Sequence, residues 1–146
     1  MHERLYRSTE IGSVDLSAYL KEVCDDLQAV TNHNTVTFEA HDPIPMGTDR
    51  AVLVALLMGE LVTNASKHAY PASAAGRIDV RVAPASDGSV LLTVRDEGKG
   101  LPQDFDPENG GLGMKIISAF VRQSNAKLEI RRLTQGSEFR VEISRQ

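Results

Sequence analysis

Residues 60–69 (Glu-Leu-Val-Thr-Asn-Ala-Ser-Lys-His-Ala) place a carboxylate, an amide and two basic side chains at helical spacing within a run of core residues. At roughly 100° per residue, Glu60, Asn64 and Lys67 fall in a narrow arc of one helix face, with His68 at its edge. An amide oxygen can bind a metal ion, a carboxylate can act as a base, and lysine contacts phosphate as a point charge. The pattern therefore predicts a helix face that binds a metal ion together with phosphate groups.

Two glycine-bearing segments further along the chain supply what this helix lacks for binding a nucleotide. In residues 96–100 (Asp-Glu-Gly-Lys-Gly), after an apolar strand, glycine lets the backbone approach a ligand, and the aspartate can accept from an exocyclic amine such as that of adenine. Residues 110–113 (Gly-Gly-Leu-Gly) precede a helix, where free N–H groups and the helix dipole favour phosphate. Each segment alone is also typical of an ordinary turn or loop, but their order behind residues 60–69 indicates one nucleotide site.

The helices that must position these residues are marked by hydrophobic periodicity and by capping residues. Asp15 is expected to cap a first helix, whose apolar positions repeat from Leu16 to Val30. Thr48 is expected to cap the long helix that carries residues 60–69, and Pro71 to close it. Its leucines are expected to lie mostly opposite the polar arc, at Leu53, Leu56, Leu57 and Leu61.

The remaining segments alternate like strands and predict the sheet. Strands are expected at 35–40, 76–83, 89–95, 127–133 and 137–144, with a break at 42–45 and a third helix from about Met114 to Gln123. The last four strands pair as two hairpins. The predicted fold is an α+β two-layer sandwich, in which a mixed β-sheet is packed on one face by about three helices.

Composition excludes several classes of protein. The chain has 146 residues, 41% of them hydrophobic, and a formal net charge of −4, which predicts one compact domain and no nucleic-acid partner. Its single cysteine, Cys24, lies among apolar residues and is predicted to be a buried structural thiol. The sequence shows no apolar run of membrane-spanning length and no signal-peptide pattern, so a cytoplasmic location without membrane contact is expected.

The three chemical segments together resemble the ATP-binding catalytic domain of two-component sensor histidine kinases, with the Bergerat (GHKL) fold shared by gyrase, Hsp90 and MutL ATPases. Residues 60–68 resemble the N box, 96–100 the G1 box and 110–113 the G2 box. Gly136 and Ser137 resemble a Gly-Thr pair on a late strand, with serine replacing threonine. The Asn-Ala-x-Lys-His-Ala form of the N box and the short ATP lid resemble a subgroup related to the HWE kinases.

The resemblance implies a role for each of these positions. Glu60 would polarise the attacking group or hold a structural hydrogen bond, and Asn64 would join it in catalysis and bind Mg²⁺. Asp96 would select adenine with the help of the Ser137 hydroxyl, and His68 would contact a phosphate or pack beneath it. The residues implied in binding ATP are Asn64, Lys67, His68, Asp96, Gly98, Gly100, Leu101, Gly110, Gly111, Leu112, Gly113 and Ser137.

The same resemblance implies partners outside the chain. The γ-phosphoryl group of ATP would pass to a histidine on dimerisation helices, and then to a response regulator receiver domain. No such acceptor sequence occurs here, so residues 1–14 are interpreted as a remnant of the dimerisation region or linker, and 15–146 as the catalytic domain of a homodimeric kinase. The alternatives are an anti-sigma-factor-type serine kinase of the same fold, or a non-catalytic phosphotransfer or nucleotide-binding module.

Overall fold

The computed structural model describes residues 12–31, 34–68, 76–85, 88–99, 112–123 and 126–144. Three helices pack on one face of a five-stranded sheet, as predicted. The elements are β1 (Ser13–Asp15), α1 (Leu16–Val30), β2 (Asn34–Glu39), β3 (Pro45–Gly47), α2 (Thr48–His68), β4 (Gly76–Pro84), β5 (Val90–Asp96), α3 (Leu112–Gln123), β6 (Lys127–Arg132) and β7 (Ser137–Ile143).

The sheet has the strand order β2-β4-β5-β7-β6 and is mixed. Strands β2 and β4 run parallel, since α2 carries the chain back between them, and every other neighbouring pair is antiparallel. The predicted hairpins are β4–β5 and β6–β7, and both are confirmed. The two hairpins meet where β5 of the first pairs with β7 of the second, and this pairing places Asp96 opposite Ser137.

The start of α1 confirms the predicted cap. Asp15 Oδ1 accepts hydrogen bonds from the Ser17 N–H at 3.0 Å and from the Ile44 N–H at 2.9 Å. The first bond satisfies a backbone donor that the helix cannot pair internally, and the second ties the helix start to the segment before β3. The Leu16 N–H completes this junction by donating to the Ile44 carbonyl at 2.8 Å.

A short antiparallel pair, β1 with β3, adds to the predicted elements. The predicted break at 42–45 ends one residue early, because Pro45 already belongs to β3. Next to this pair, the Thr48 N–H donates to the Gly12 carbonyl at the first residue of α2. Gly12, the first described residue, therefore lies beside the N-terminal end of the helix that carries the predicted site.

The side of α2 that faces the sheet differs from the predicted one. Leu57 and Leu61 are buried as expected, but the side chains of Leu53 and Leu56 are 41% and 60% exposed. The prediction was wrong for these two leucines because, at about 100° per residue, Leu53 and Leu56 fall within about 40° of Glu60, on the side of the polar arc. Other apolar positions of α2 fill the side that faces the sheet. These buried residues are Ala51, Val54, Ala55, Leu57, Met58, Leu61 and Val62.

The two faces of the sheet have opposite character. The inner positions of β4, β5 and β7 are buried apolar residues except at the strand ends, where Asp96 and Ser137 lie. On the outer face, β6 and β7 pair residues of opposite charge, as in Glu129 with Arg140, and Arg95 of β5 lies between Asp79 and Glu138. This alternation of inner and outer residues is typical of an antiparallel sheet with one face in water.

Asp79 lies on the outer face of β4. Its partial burial tends to raise the pKa of its carboxyl group, but hydrogen bonds donated by Thr37 and Arg77 outweigh burial and hold that pKa below its ordinary value.

The core between α1 and α2 contains the single cysteine. Cys24 is buried, with its Sγ 3.7 Å from the Met58 Sδ. Burial, reinforced by the charge of Asp25, raises the pKa of the Cys24 thiol to about 12. The thiol therefore stays protonated and acts as a small apolar side chain, which confirms the prediction.

None of the helices in the described part of the chain is long and apolar enough to cross a bilayer.

Candidate functional site: a buried carboxylate and the polar arc of α2

Asp96 ends β5 and is the best-defined polar group of the candidate site. Its side chain is only 4% exposed, although it belongs to a residue type that is rarely buried. The Ser137 hydroxyl, itself 2% exposed, donates to Asp96 Oδ2 at 3.0 Å, and the Gly98 N–H donates to Oδ1 at 3.0 Å. The structure thus brings together three residues that the sequence predicted for the site.

Within the described part of the chain, the Asp96 carboxylate retains acceptor capacity for a ligand. An ionised carboxylate offers about four acceptor positions, and two of them are occupied by Ser137 and Gly98. Burying such a charge is costly unless its remaining lone pairs find donors. A ligand that presents an N–H donor at the end of β5 would satisfy this requirement.

Gly136 brings the strand ends close together at this position. Its φ is +93°, and a Cβ atom built on it would lie 2.0 Å from the Asp96 carbonyl oxygen and 2.7 Å from the Glu97 Cα. Both obstacles are backbone atoms, so no side-chain rotation could relieve the overlap. Glycine at this position therefore allows the first residue of β7, Ser137, to reach the Asp96 carboxylate. The resemblance named this glycine as half of a pair, but it was not among the predicted site residues.

The residues of the predicted polar arc all lie on α2. Glu60 and Asn64 are half-buried and Lys67 is exposed. His68 is the last residue of the helix, and its side chain lies outside the described part of the structure. The helix α2 packs against β4 and β5, and Asp96 is the last residue of β5. The polar arc and Asp96 therefore lie on neighbouring elements.

The described residues of the arc suit a metal ion that keeps most of its own ligands. Within the described ranges there is no group of three or more His, Cys, Asp or Glu side chains that could hold a metal ion. Mg²⁺ keeps several waters and takes one or two protein oxygens alongside phosphate oxygens. The amide oxygen of Asn64 is a suitable protein ligand of this kind.

The predicted glycine-rich segment is described only in part. Leu112 and Gly113 form the first turn of α3, which begins two residues before the predicted start at Met114. Gly100, Leu101, Gly110 and Gly111 lie outside the described residues, so their roles stay predictions.

Asn34, the first residue of β2, is a positioning residue that was not predicted. Its side chain is 6% exposed; Nδ2 donates to the Ser66 Oγ at 2.7 Å, and Oδ1 accepts from the Gly76 N–H at 3.1 Å. Gln28 holds the same strand, since Nε2 donates to the Asn34 carbonyl at 2.8 Å and Oε1 accepts from the Val36 N–H at 2.6 Å. One buried amide thus anchors the last turns of α2 to β2 and β4.

Replacing Asn34 with alanine is expected to lower the free energy of unfolding by about 2 kcal/mol, because it leaves the half-buried Ser66 hydroxyl and Gly76 N–H without their partner. Ser66→Ala removes the bond to α2 alone and should cost about 1 kcal/mol. Urea unfolding of both variants and of the double variant measures this. Because both single variants lose the bond between Asn34 and Ser66, the double variant should be less destabilised than the sum of the single ones. Strict additivity would mean that this bond does not contribute to stability.

Comparison with known proteins agrees with this geometry. Residues 49–146 match the family model of histidine kinase-, DNA gyrase B-, and HSP90-like ATPases. Blue-light-activated histidine kinase 2 of Erythrobacter litoralis is 28% identical over 132 residues, which are 89% of this chain and 38% of that protein. A solved histidine kinase domain from a blue-light-activated kinase of the same species superposes with a TM-score of 0.82 at 29% identity, covering 90% of this chain and 62% of that one.

A second kind of relative is an anti-sigma factor. Anti-sigma F factor of Heyndrickxia coagulans is 30% identical over 126 residues, which are 79% of this chain and 71% of that protein. Both kinds of relative are consistent with the family model, which extends over α2, Asp96, α3 and Ser137. On this match, the chain belongs to the histidine kinase-, DNA gyrase B-, and HSP90-like ATPase family.

Proposed function

We propose that this chain is the ATP-binding catalytic domain of a sensor histidine kinase, formed by residues 15–146, with residues 1–14 ending a dimerisation region or linker. It would transfer the γ-phosphoryl group of ATP to a histidine on the dimerisation helices of a homodimeric kinase. A response regulator receiver domain would then accept that group. The observation that carries the proposal is the buried Asp96 carboxylate, which keeps acceptor capacity beside Ser137 and Gly98.

Asp96 would recognise the adenine of ATP. Adenine presents an exocyclic amine, which donates hydrogen bonds, whereas guanine presents a carbonyl oxygen at the equivalent ring position. The carboxylate accepts only, so it would favour the first base and repel the second. Burial supports this role, because a hydrogen bond to a charged acceptor is stronger where water is excluded.

The polar arc of α2 would contact the triphosphate. Asn64 would bind Mg²⁺ through its amide oxygen, and the ion would neutralise phosphate charge during transfer. Lys67 would approach a phosphate oxygen as a point charge. His68, Gly100, Leu101, Gly110, Gly111, Leu112 and Gly113 are proposed as further nucleotide contacts on the resemblance alone.

The transfer itself asks mainly for positioning and charge neutralisation. A ring nitrogen of the acceptor histidine would form a bond to the γ-phosphorus. The bond between the γ-phosphorus and the β–γ bridging oxygen would break, and its electron pair would leave with ADP. The acceptor ring would then lose the proton from its other nitrogen to a base. Glu60, half-buried on the arc one turn before Asn64, is the candidate for that base.

The anti-sigma F relative supports a second candidate function, transfer to a serine of an antagonist protein. The match to this chain covers 71% of the anti-sigma F factor but only 38% of the histidine kinase. The histidine kinase matches a larger share of this chain, 89% against 79%. We favour the histidine kinase because its match extends over more of this chain and because a solved histidine kinase domain superposes on 90% of it with a TM-score of 0.82.

The stability of the phosphorylated product in acid distinguishes the two functions. The chain is incubated with γ-labelled ATP and either the part of the Erythrobacter litoralis kinase domain outside the matched region or an anti-sigma antagonist protein. Label on the kinase fragment that is lost in acid is expected, since phosphohistidine hydrolyses under these conditions. Acid-stable label on the antagonist would instead identify a serine kinase.

Asn64→Ala is expected to weaken ATP binding in the presence of Mg²⁺ by about tenfold or more, because the substitution removes the proposed protein ligand of the ion. Binding in EDTA should change little. Calorimetric titration of the two chains under both conditions measures the difference. An equal loss with and without Mg²⁺ would point to a structural role for Asn64 and contradict its assignment as a metal ligand.

A further inference from the structure

The C-terminal end of α2 carries two proposed nucleotide contacts but is weakly anchored in the core. Val62 is fully buried, at 0% exposure, whereas the described residues after it, 63–67, are half-buried or exposed. Ala65 adds a partial contact with the core. Packing therefore holds the middle of α2 more firmly than its end, where local opening costs less. The placement of Asn64 and Lys67 consequently depends on the polar contacts that secure this end of the helix.

Ser66 lies on a side of α2 away from the polar arc. At the helical angle per residue, it is about 160° around the helix axis from Asn64 and about 3 Å from it along that axis. Its Oγ accepts from the Asn34 Nδ2 at 2.7 Å, and Asn34 is only 6% exposed. A hydrogen bond on this side resists rotation of the helix, and a rotation of about 20° would move a side-chain tip on the polar arc by about 2 Å.

The direction of the Asn34 amide is fixed by its second hydrogen bond. Asn34 Oδ1 accepts from the Gly76 N–H at 3.1 Å, and a backbone N–H can only donate. A flipped amide would set its NH₂ group against that N–H, so Nδ2 must point to Ser66. The backbone of the same strand is held by two hydrogen bonds to the side chain of Gln28. The Ser66 hydroxyl is thus bound by a side chain that cannot easily turn away.

We infer that Asn34 is a positioning residue for the metal ligand, which acts through Ser66 on the orientation of Asn64. The inference rests on the proposed function, in which the Asn64 amide oxygen binds Mg²⁺. Asn34 makes no contact with the nucleotide in this account, because it is buried where α2, β2 and β4 meet. Its effect is large because phosphoryl transfer depends on positioning, and a misplacement of about 1 Å can cost about 100-fold in rate.

Ser66→Ala is the test variant, because it removes the bond to α2 and leaves the bond between Asn34 and Gly76 in place. Calorimetric titration gives the ATP affinity in Mg²⁺ and in EDTA, at a temperature where the variant is folded. The factor by which Mg²⁺ strengthens binding is expected to fall about fivefold, because the Asn64 oxygen is displaced from the ion. Binding in EDTA depends on the adenine contact of Asp96 and should change by less than about twofold.

Three further variants separate positioning from general stability. Ser66→Thr keeps the hydroxyl and should retain the wild-type effect of Mg²⁺, whereas Asn34→Ala should reproduce the loss. Gln28→Ala removes two hydrogen bonds from the same strand but none from α2, so it should lower stability and leave the effect of Mg²⁺ unchanged.

A double-mutant cycle identifies the residue through which Ser66 acts. In a chain that already carries Asn64→Ala, adding Ser66→Ala should not change the effect of Mg²⁺ any further, because the ligand being positioned is absent. A further loss in the double variant would mean that Ser66 acts on another group and would overturn the inference.

Two other results would also overturn it. One is a wild-type effect of Mg²⁺ in Ser66→Ala, and the other is an equal loss in Gln28→Ala, which would reduce the effect to general destabilisation. A wild-type chain that binds ATP equally well in Mg²⁺ and in EDTA would contradict the role of Asn64, and this inference with it. A wild-type chain that does not bind ATP would contradict the proposed function itself.

Discussion

Asp96→Asn is expected to reduce the affinity for ATP by about 100-fold while lowering the free energy of unfolding by about 1 kcal/mol or less. Asparagine keeps the shape of the side chain and one acceptor oxygen, which can still receive the Gly98 N–H. Its amide nitrogen can donate to the Ser137 hydroxyl, which rotates its hydrogen to accept. The fold is thus largely preserved, but a donor now faces the donor amine of adenine.

Calorimetric titration with ATP measures the affinity, and urea unfolding measures the stability of the same preparation. Ser137→Thr keeps the hydroxyl that Asp96 needs and should bind ATP with near wild-type affinity. If Asp96→Asn binds ATP as tightly as the wild-type chain, Asp96 does not read the adenine amine, and the proposed orientation of the nucleotide is wrong.

Gly136→Ala is expected to lower the free energy of unfolding by about 3 kcal/mol or more and to weaken ATP binding with it. The new Cβ would lie 2.0 Å from the Asp96 carbonyl oxygen, so the start of β7 must move away from the end of β5. That movement separates Ser137 from the Asp96 carboxylate. The loss combines a left-handed backbone conformation unsuited to alanine with a collision between backbone and side chain.

Gly88→Ala is the matched control for this substitution. Gly88 also has a positive φ, +87°, but a Cβ atom there meets nothing within 4 Å. Its replacement should cost only about 1 kcal/mol, the backbone strain alone, and leave ATP binding intact. Thermal or urea unfolding of the two variants provides the comparison. Equal losses would mean that the collision at Gly136 is relieved without cost.

The fold could be predicted because local patterns and global topology agree. The helical period around Leu16 and the alternating strands after Gly76 each indicate one kind of element, and the turns between them leave few ways to pair the strands. The β1–β3 pair could not be predicted in this way. Each of these strands has three residues, and their pairing depends on contacts distant in sequence.

The exposed leucines of α2 could have been placed from the helical angle. At about 100° per residue, Leu53 and Leu56 fall within about 40° of Glu60, on the polar side of the helix. Leu53 and Leu56 have the same chemistry as Leu57 and Leu61, yet they lie on the exposed side.

The contact between Asp96 and Ser137 could be predicted from the resemblance, whereas positions that depend only on tertiary contacts could not. Asp96 and Ser137 are distant in sequence, and the resemblance linked them before their hydrogen bond was seen. Asn34 is an ordinary polar residue at a strand start, and only the structure shows it bridging Ser66 and Gly76. The sequence predicts Gly136 only as a turn glycine, and the structure adds its close approach to the Asp96 backbone.

The most direct test of the central claim is calorimetric titration of this chain with ATP, in Mg²⁺ and in EDTA. We expect one binding site per chain, tighter binding in Mg²⁺, competition by ADP and no competition by GTP. Absence of heat together with absence of a thermal shift at high ATP concentration would contradict the claim, because a folded chain with this site must be stabilised by its ligand.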